Sequence, residues 1–439
     1  MRNQFLYILL DKLEQSGLNY AVIRGWENIP NSMSGGDLDL WIDRSQYVQF
    51  IQVLKAALAQ ADGCVVSFLD NLMVPKYTFL GIDWGLQMDM ALHATQYRCA
   101  VSLPEQIIWR NIVYHNGYKV IAPKADAYMA FFKEVLNNGY CQKEQYIYNL
   151  RNELKASSPD EIKENLCIYS DATIQTFQQQ VLDEERMEFN GLRKMLCREF
   201  LPPINTRYVR NQLMKWRRIF QHPGYVIAVL GTDGSGKSAI IDAITPWMDE
   251  AFHNGVHYFH LRPGLLPDIA VLFGKRTKEE CHPTVASNPH IYKPSGFFGS
   301  IARLLYYLVD YSIGYFWKVW RQIALHSKVV IFDRYYYDYY IDAWRYLVSL
   351  PRWILRAFEI FVPKPDVILC LGGNPDIIYS RKPETTLEEV IRQTDELKRF
   401  ASVRSNAVWI DTTQPIDNSV LDAKRAILSA LSKRFRKVL

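Results

Sequence analysis

Two short stretches of this chain carry residue types at spacings that could do chemistry. The first is "GTDGSGKS", residues 231 to 238. Gly231, Gly234 and Gly236, interleaved with Thr232, Asp233 and Ser235, allow successive backbone N–H groups to close around phosphate oxygens. Lys237 would then reach β- and γ-phosphates, and the Ser238 hydroxyl would hold Mg²⁺. The second stretch is "GGDLDLWID", residues 35 to 43. Asp37 and Asp39 alternate with Leu38 and Leu40, so on a strand both carboxylates share one face, with Cα atoms about 6.8 Å apart. Like charges that close are costly unless a cation lies between them. Mg²⁺ with nucleotide phosphate is one such cation; a calcium-type or solvated acidic turn is the plainer alternative.

A third acid has matching strand context. In "LQMDMAL" (86–92), Leu86, Met88 and Met90 alternate with Gln87, Asp89 and Ala91, which sets Asp89 opposite an apolar row. Carboxylates at 37, 39 and 89 on neighbouring strands can carry two Mg²⁺ ions and align an in-line attack on an α-phosphate. A fourth acid ends the apolar run "VVIFDRYYYDYYIDAWRY" (329–346). Asp333 is expected at the C-terminal tip of a parallel strand, where it can orient Mg²⁺ or accept a hydroxyl proton. Arg334 beside it has bidentate geometry for phosphate, a loop ion pair being the alternative. The tyrosines from Tyr335 to Tyr340 could stack a base or sugar, or simply pack.

The elements that must position these groups follow from hydrophobic periodicity. "YVIAVL" (225–230) reads as a buried parallel strand leading into the glycine-rich loop, and "AIIDAI" as a helix beginning at Ala239 that Pro246 limits. Residues 1–120 mix helical and strand patterns, 121–221 read as a helical accessory region with a basic linker, and 222–439 alternate strands and helices. The fold class is therefore α/β: an N-terminal α+β domain with helical additions, then a parallel sheet flanked by helices.

The 439 residues are 49% apolar and 13% aromatic, a composition that excludes a disordered chain. With 51 basic and 46 acidic residues the net charge is only +5, which does not suggest a general nucleic-acid binder. Between Arg193 and Arg218, however, eight Lys/Arg accompany one acid, Glu199. That segment reads as a solvated helix, or as a contact for a polyanion or an anionic membrane surface. The seven cysteines show no CxxC pair, so a disulfide framework is not expected and a cytoplasmic setting fits. "MRNQFLYILLDKLEQSGL" reads as an amphipathic first helix rather than a signal peptide. The apolar stretch Ile301–Trp320 contains Arg303, Asp310 and Lys318, which argues for a buried or groove-lining helix and not a membrane span.

"GTDGSGKS", "FDRYYYD" and "PDVILCLGGNPDIIYSRK" (365–382), in that order, resemble the thymidylate kinase branch of the P-loop kinases over residues 222–439. The resemblance implies that ATP binds at 231–239 with Mg²⁺, that Asp233 touches the acceptor, and that Arg334 holds acceptor phosphate. It implies that Arg381 and Lys382 stabilise transferring charge and that "VWIDTTQP" (408–415) closes over adenine. Ala239 stands where a second Ser/Thr is usual in that branch. "HLRPGLLPD" (260–268) and "RLLYYLVDYSIGY" (303–315) resemble a divergent subgroup encoded near surface-polysaccharide genes, which points to a small-molecule or glycan acceptor. "YAVIRGWENIPNSMSGGDLDL" resembles the nucleotidyltransferase superfamily of the DNA polymerase β-like fold, with Trp26 where Gly or Ser usually touches phosphate and Arg24 beside it.

The function expected is a bifunctional transferase using nucleoside triphosphate: an ATP/Mg²⁺-dependent kinase behind a metal-dependent nucleotidyltransferase-like domain. Two alternatives stand: a kinase of nucleoside monophosphates or sugars with an inactive front binding module, and a non-enzymatic nucleotide-gated switch.

Overall fold

A computed structural model describes the chain except for residues 1, 34–35, 70–73, 93–94, 98–99, 201–212, 214–215, 217, 219–220, 268, 270–289, 291, 437 and 439. Helix α1 (Arg2–Gln15) precedes strands β1 (Tyr20–Arg24) and β2 (Asp37–Ile42). After α2 (Tyr47–Gln60) come β3 (Cys64–Leu69), β4 (Lys76–Leu80) and β5 (Gly85–Ala91). A small ribbon, β6 (Thr95–Tyr97) with β7 (Ala100–Leu103), and helix α3 (Glu105–Arg110) lead to β8 (Ile112–His115) and β9 (Tyr118–Ile121). Seven strands form one mixed sheet in the order β3-β4-β5-β2-β1-β9-β8.

Strand alternation sorts the two faces of this sheet. Leu38, Leu40, Leu86, Met88 and Met90 join one apolar core with Phe5, Leu9 and Leu13 of α1. Trp41 and Ala91, on the other face, join a second core beneath α4 (Pro123–Asn138). Asp37, Asp39 and Asp89 share that second face through the period-2 rule. Helices α5 (Glu144–Ala156), α6 (Pro159–Asn165), α7 (Asp171–Leu182) and α8 (Asn190–Phe200) complete the helical region. The remainder of the basic stretch 193–218 falls largely outside the described residues. Cys197 is disulfide-bonded, a bond that the absence of CxxC spacing did not foreshadow, whereas Cys64, Cys141, Cys167 and Cys370 are free.

The second sheet is parallel throughout. It contains β10 (Tyr225–Gly231), β11 (Val256–His260), β12 (Val329–Asp333), β13 (Val367–Gly372) and β14 (Ala407–Asp411), in the order β11-β12-β10-β13-β14. Both faces of β10 are buried: Tyr225, Ile227 and Val229 on one side, Val226, Ala228 and Leu230 on the other. That explains its unbroken apolar run.

Helix α9 (Lys237–Phe252) follows the glycine-rich loop and carries Pro246 in its interior. This corrects the expectation that Pro246 limits the helix. An interior proline costs about 3 kcal/mol. Trp247, Met248, Ala251 and Phe252, all beyond the proline, are buried in the first core, and burying such side chains offsets that cost at about 1.5–3 kcal/mol each for the large ones.

Beyond α9, the chain forms α10 (Phe297–Val309), a π-helical stretch (Asp310–Trp320) and α11 (Arg321–Leu325). Leu304, Leu308, Tyr311 and Val319 are buried, but Leu305, Ile313, Phe316 and Trp317 are exposed, so only one side of the 301–320 segment is buried. No helix among the described residues is long and apolar enough to cross a membrane. The remaining helices are α12 (Asp338–Ile341), α13 (Arg352–Glu359), α14 (Pro375–Arg381), α15 (Leu387–Val403) and α16 (Ile416–Phe435).

The two sheets share a core. Ile240, Ile241, Ile244 and Met248 of α9 and Leu431 and Phe435 of α16 lie in the same apolar cluster as the front sheet's Tyr77, Phe79 and Met88. Polar contacts stitch the seam. Trp247 donates its indole N–H to the Gly81 carbonyl at 2.9 Å, and the Tyr225 hydroxyl reaches the Val66 and Leu431 carbonyls.

Candidate functional sites

Parallel register brings the C-terminal ends of the second sheet to one edge. Gly231 pairs with Leu371, Val229 with Asp333, and His260 with Asp333. The glycine-rich loop opens at this edge, where open parallel sheets collect their ligands. Gly234 adopts φ +82°, and a Cβ there would lie 2.6 Å from the Ile378 carbonyl oxygen, so only glycine fits the turn. Lys237 is buried and donates from Nζ to the carbonyls of Gly231 (3.0 Å) and Thr232 (2.9 Å). Burial, then the positive charge of Arg334, pushes its pKa down to about 8. Ser238 and Ala239 are exposed at the first turn of α9. Thr232 Oγ1 and Ser235 Oγ are buried without a hydrogen-bond partner. Two orphaned hydroxyls, a lysine and a helix N-terminus together fit a phosphate ligand.

Asp333 lies at the tip of β12 and is largely buried. Its Oδ2 accepts from the Tyr258 hydroxyl (3.1 Å) and lies 3.6 Å from His260 Nδ1, while its Oδ1 is buried without a partner. Burial alone would raise its pKa, but His260, Lys237 and Arg334 hold it below the ordinary value. Arg334 takes the left-handed conformation, φ +68°, a strained setting for a side chain with a Cβ. Its N–H still bonds the Val229 carbonyl at 2.8 Å, so the chain leaves the sheet at that residue and turns the guanidinium toward the loop.

Arg334 donates from Nη2 to Asp233 (2.7 Å) and from Nη1 to Asp338 (2.8 Å). Arg345 also reaches Asp233, and pairs with Asp342 at 3.3 Å. Burial would raise Asp233, but Arg334, Lys237 and Arg345 overcome it and hold the carboxylate well below its usual range. The tyrosines at 335, 336, 337 and 339 are fully buried, and Tyr335 and Tyr336 spend their hydroxyls on the Pro363 and Leu355 carbonyls. They build the core rather than a stacking platform. Arg381 donates to the Thr412 carbonyl (2.9 Å), which joins it to the 408–415 segment. Lys382 pairs with Glu384 at 3.0 Å, and its Cβ lies 3.3 Å from where a Cβ on Gly234 would stand.

In the front sheet, β2 and β5 run parallel with Asp39 directly beside Asp89. Asp37, Asp39 and Asp89 each offer a carboxylate oxygen, and these lie within 4.8 Å of one another. Three hard oxygen donors at that spacing fit Mg²⁺. Arg24 contacts Asp39 at 2.5 Å, and Lys76 contacts Asp89 at 3.0 Å. Burial raises the pKa of Asp39, with Arg24 opposing and Asp37 and Asp89 adding to it. From α4, Lys133 is held below its ordinary pKa by burial and then by Arg24, while Asp39, Asp37 and Asp89 oppose. Asp126 on the same helix is pushed up to about 7, first by burial, against the pull of Arg24. Trp26 is packed edge-on to His115, and its indole N–H is buried without a partner.

Sequence reasoning missed Lys76, Asp126 and Lys133 in front, and Tyr258, His260, Asp338, Asp342 and Arg345 behind. Most arrive through strand pairing, through α4 packing on the front sheet, or through a turn, none of which local spacing encodes. Asp338, Asp342 and Arg345 had a signal, since Asp338 follows Arg334 by four residues and Arg345 follows Asp342 by three within the same motif.

No family model matches the chain, and neither does any curated protein. Among solved structures, thymidylate kinase from Ehrlichia chaffeensis is similar at 15% identity and a TM-score of 0.32, covering 47% of this chain and 100% of that one. Thymidylate kinase from Candida albicans is similar at 18% identity and a TM-score of 0.33, covering 48% of this chain and 93% of that one.

Proposed function

We propose that this chain is a nucleotide-dependent phosphotransferase with a second, metal-dependent nucleotidyl-transfer site in its front sheet. One observation carries the kinase part: Gly231–Ser238, Lys237, Asp333, Arg334 and Arg381 converge at the C-terminal edge of one parallel sheet.

In this reading the loop amides and Lys237 hold the β- and γ-phosphates of ATP. Ser238, with Asp333 nearby, would hold Mg²⁺, which supplies charge neutralisation on the phosphate oxygens. Asp333 aligns the acceptor oxygen, and Arg381 with Lys382 balances charge as the phosphoryl group moves. In front, Asp37, Asp39 and Asp89 would hold Mg²⁺ to polarise an α-phosphate, while Arg24, Lys76 and Lys133 are placed to take up triphosphate charge. The experiment is incubation with ATP and Mg²⁺ plus nucleoside monophosphates, sugars and lipid-linked glycans. A product gaining one phosphate supports the kinase, and one gaining a nucleotide supports the front site.

A second reading is a kinase with a silent front module. It is favoured by the ion pairs: Arg24 and Lys76 already neutralise Asp39 and Asp89. Mass gains of phosphate only, with no metal bound in front, would select it.

A further inference from the structure

We infer, resting on the kinase reading above, that the acceptor presents neutral hydroxyl groups, as a sugar or other polyol does, and not a phosphate. The two guanidiniums that could grip an acceptor phosphate are already committed. Both prongs of Arg334 are used, on Asp233 (2.7 Å) and on Asp338 (2.8 Å). Arg345 is shared between Asp233 and Asp342. Lys237 lies 3.9 Å from Asp233 and His290 Nε2 lies 2.8 Å from Asp342, so the carboxylates and basic groups of this network are already matched to one another, and a dianionic phosphate would have to displace a carboxylate. To bind it, Arg334 must give up Asp233 or Asp338, and Asp338, 1% exposed, would keep only the Tyr346 hydroxyl (2.5 Å) from this set. A buried carboxylate stripped of its cation is among the most destabilising arrangements in a protein.

A polyol meets no such conflict. Hydroxyls both donate and accept, so they can add to a carboxylate–guanidinium network without breaking it. The space beside the network has the right lining. A cleft of about 660 Å³ is bordered by Asp342, Glu389, Arg392, Tyr339 and Trp344. Trp344 is 46% exposed, and Arg392 is fixed by Glu389 through Nε (2.7 Å) and Nη2 (2.6 Å). An exposed indole for an apolar ring face, with carboxylates and a guanidinium at its margin, suits a sugar ring. The transfer balances simply. The acceptor oxygen bonds to the γ-phosphorus as the bond to the β–γ bridging oxygen breaks. ADP leaves with that electron pair, and the hydroxyl proton passes to Asp333, whose Oδ1 has no partner.

Calorimetric titration of thymidine 5′-monophosphate into the full-length protein, with ADP and Mg²⁺ present, decides the matter. Wild type should bind it weakly. Asp342→Asn and Asp338→Asn, each relieving one negative charge on the arginines, should bind it about tenfold or more tightly. Asp342→Asn keeps the test open if Asp338→Asn fails to fold. Equal dissociation constants in wild type and Asp342→Asn would overturn the inference. So would phosphorylation of thymidine monophosphate by wild type in preference to glucose and N-acetylglucosamine, although the kinase reading would then survive. If wild type and Lys237→Met bind ATP equally, the kinase reading fails, and the acceptor assignment with it.

Discussion

Gly85 opens β5 at the seam between the two sheets, and Gly85→Ala tests whether that seam is a packed core. A methyl at its Cα would lie 2.6 Å from the backbone nitrogen of Ala251, 2.7 Å from its Cβ and 2.8 Å from its Cα. Carbon atoms in contact prefer about 3.5–4.0 Å, so α9 must retreat by about 1 Å. Two of the three opposing atoms are backbone, and no rotamer change relieves them. Overpacking of this kind costs about 1–3 kcal/mol. An opposing effect is known in sign and size: Gly→Ala restricts the unfolded chain and stabilises by about 0.4–1 kcal/mol where the fold has room. Net destabilisation of roughly 1–2 kcal/mol is therefore expected, read as a lower midpoint in urea at constant slope. Gly191 is the internal control, because a Cβ there meets nothing within 4 Å. Gly191→Ala should be neutral or stabilising. Because α9 begins at Lys237, Gly85→Ala should also weaken ATP binding, measured by calorimetry. A Gly85→Ala protein as stable as Gly191→Ala would refute the packed seam.

Lys237→Ala should lower ATP affinity by about 100-fold or more while leaving the unfolding free energy from urea titration within about 1 kcal/mol, since the loss falls on charge-assisted contacts to phosphate. Asp37→Ala should abolish Mn²⁺ binding to the front sheet, followed by electron paramagnetic resonance, and any nucleotide transfer with it, while ATP turnover at the loop continues. Unchanged transfer would remove the carboxylates from that role. Asp126 supplies a pH test. Its folded pKa, about 7, lies above the ordinary 3.8, so the protonated form is favoured by folding. The ionised group then opposes folding increasingly as pH rises from about 4 to 7, and fully above 7. Asp126→Asn should stabilise the protein by about 1–3 kcal/mol at pH 8 and have little effect at pH 4, by urea titration at both values.

What the sequence determined by itself is local. The alternation in "DLDLWI" and "LQMDMA" states which residues share a face, because strand side chains repeat every second residue. The unbroken apolar run before Gly231 reads as a parallel strand because both of its faces are covered. Pro246 misled for the same local reason: its cost belongs to the residue, while the packing that outweighs it lies on another sheet. Tertiary structure alone decided the pairings. That Lys76 meets Asp89 depends on strand β4 lying against β5, and that Arg345 shares Asp233 with Arg334 depends on a turn returning to a loop 112 residues away. Such contacts depend on topology, and charge at one position carries no record of the distant partner it will meet. The same holds for the core shared by the two sheets, since an apolar face on α9 specifies that it must be covered but not by what.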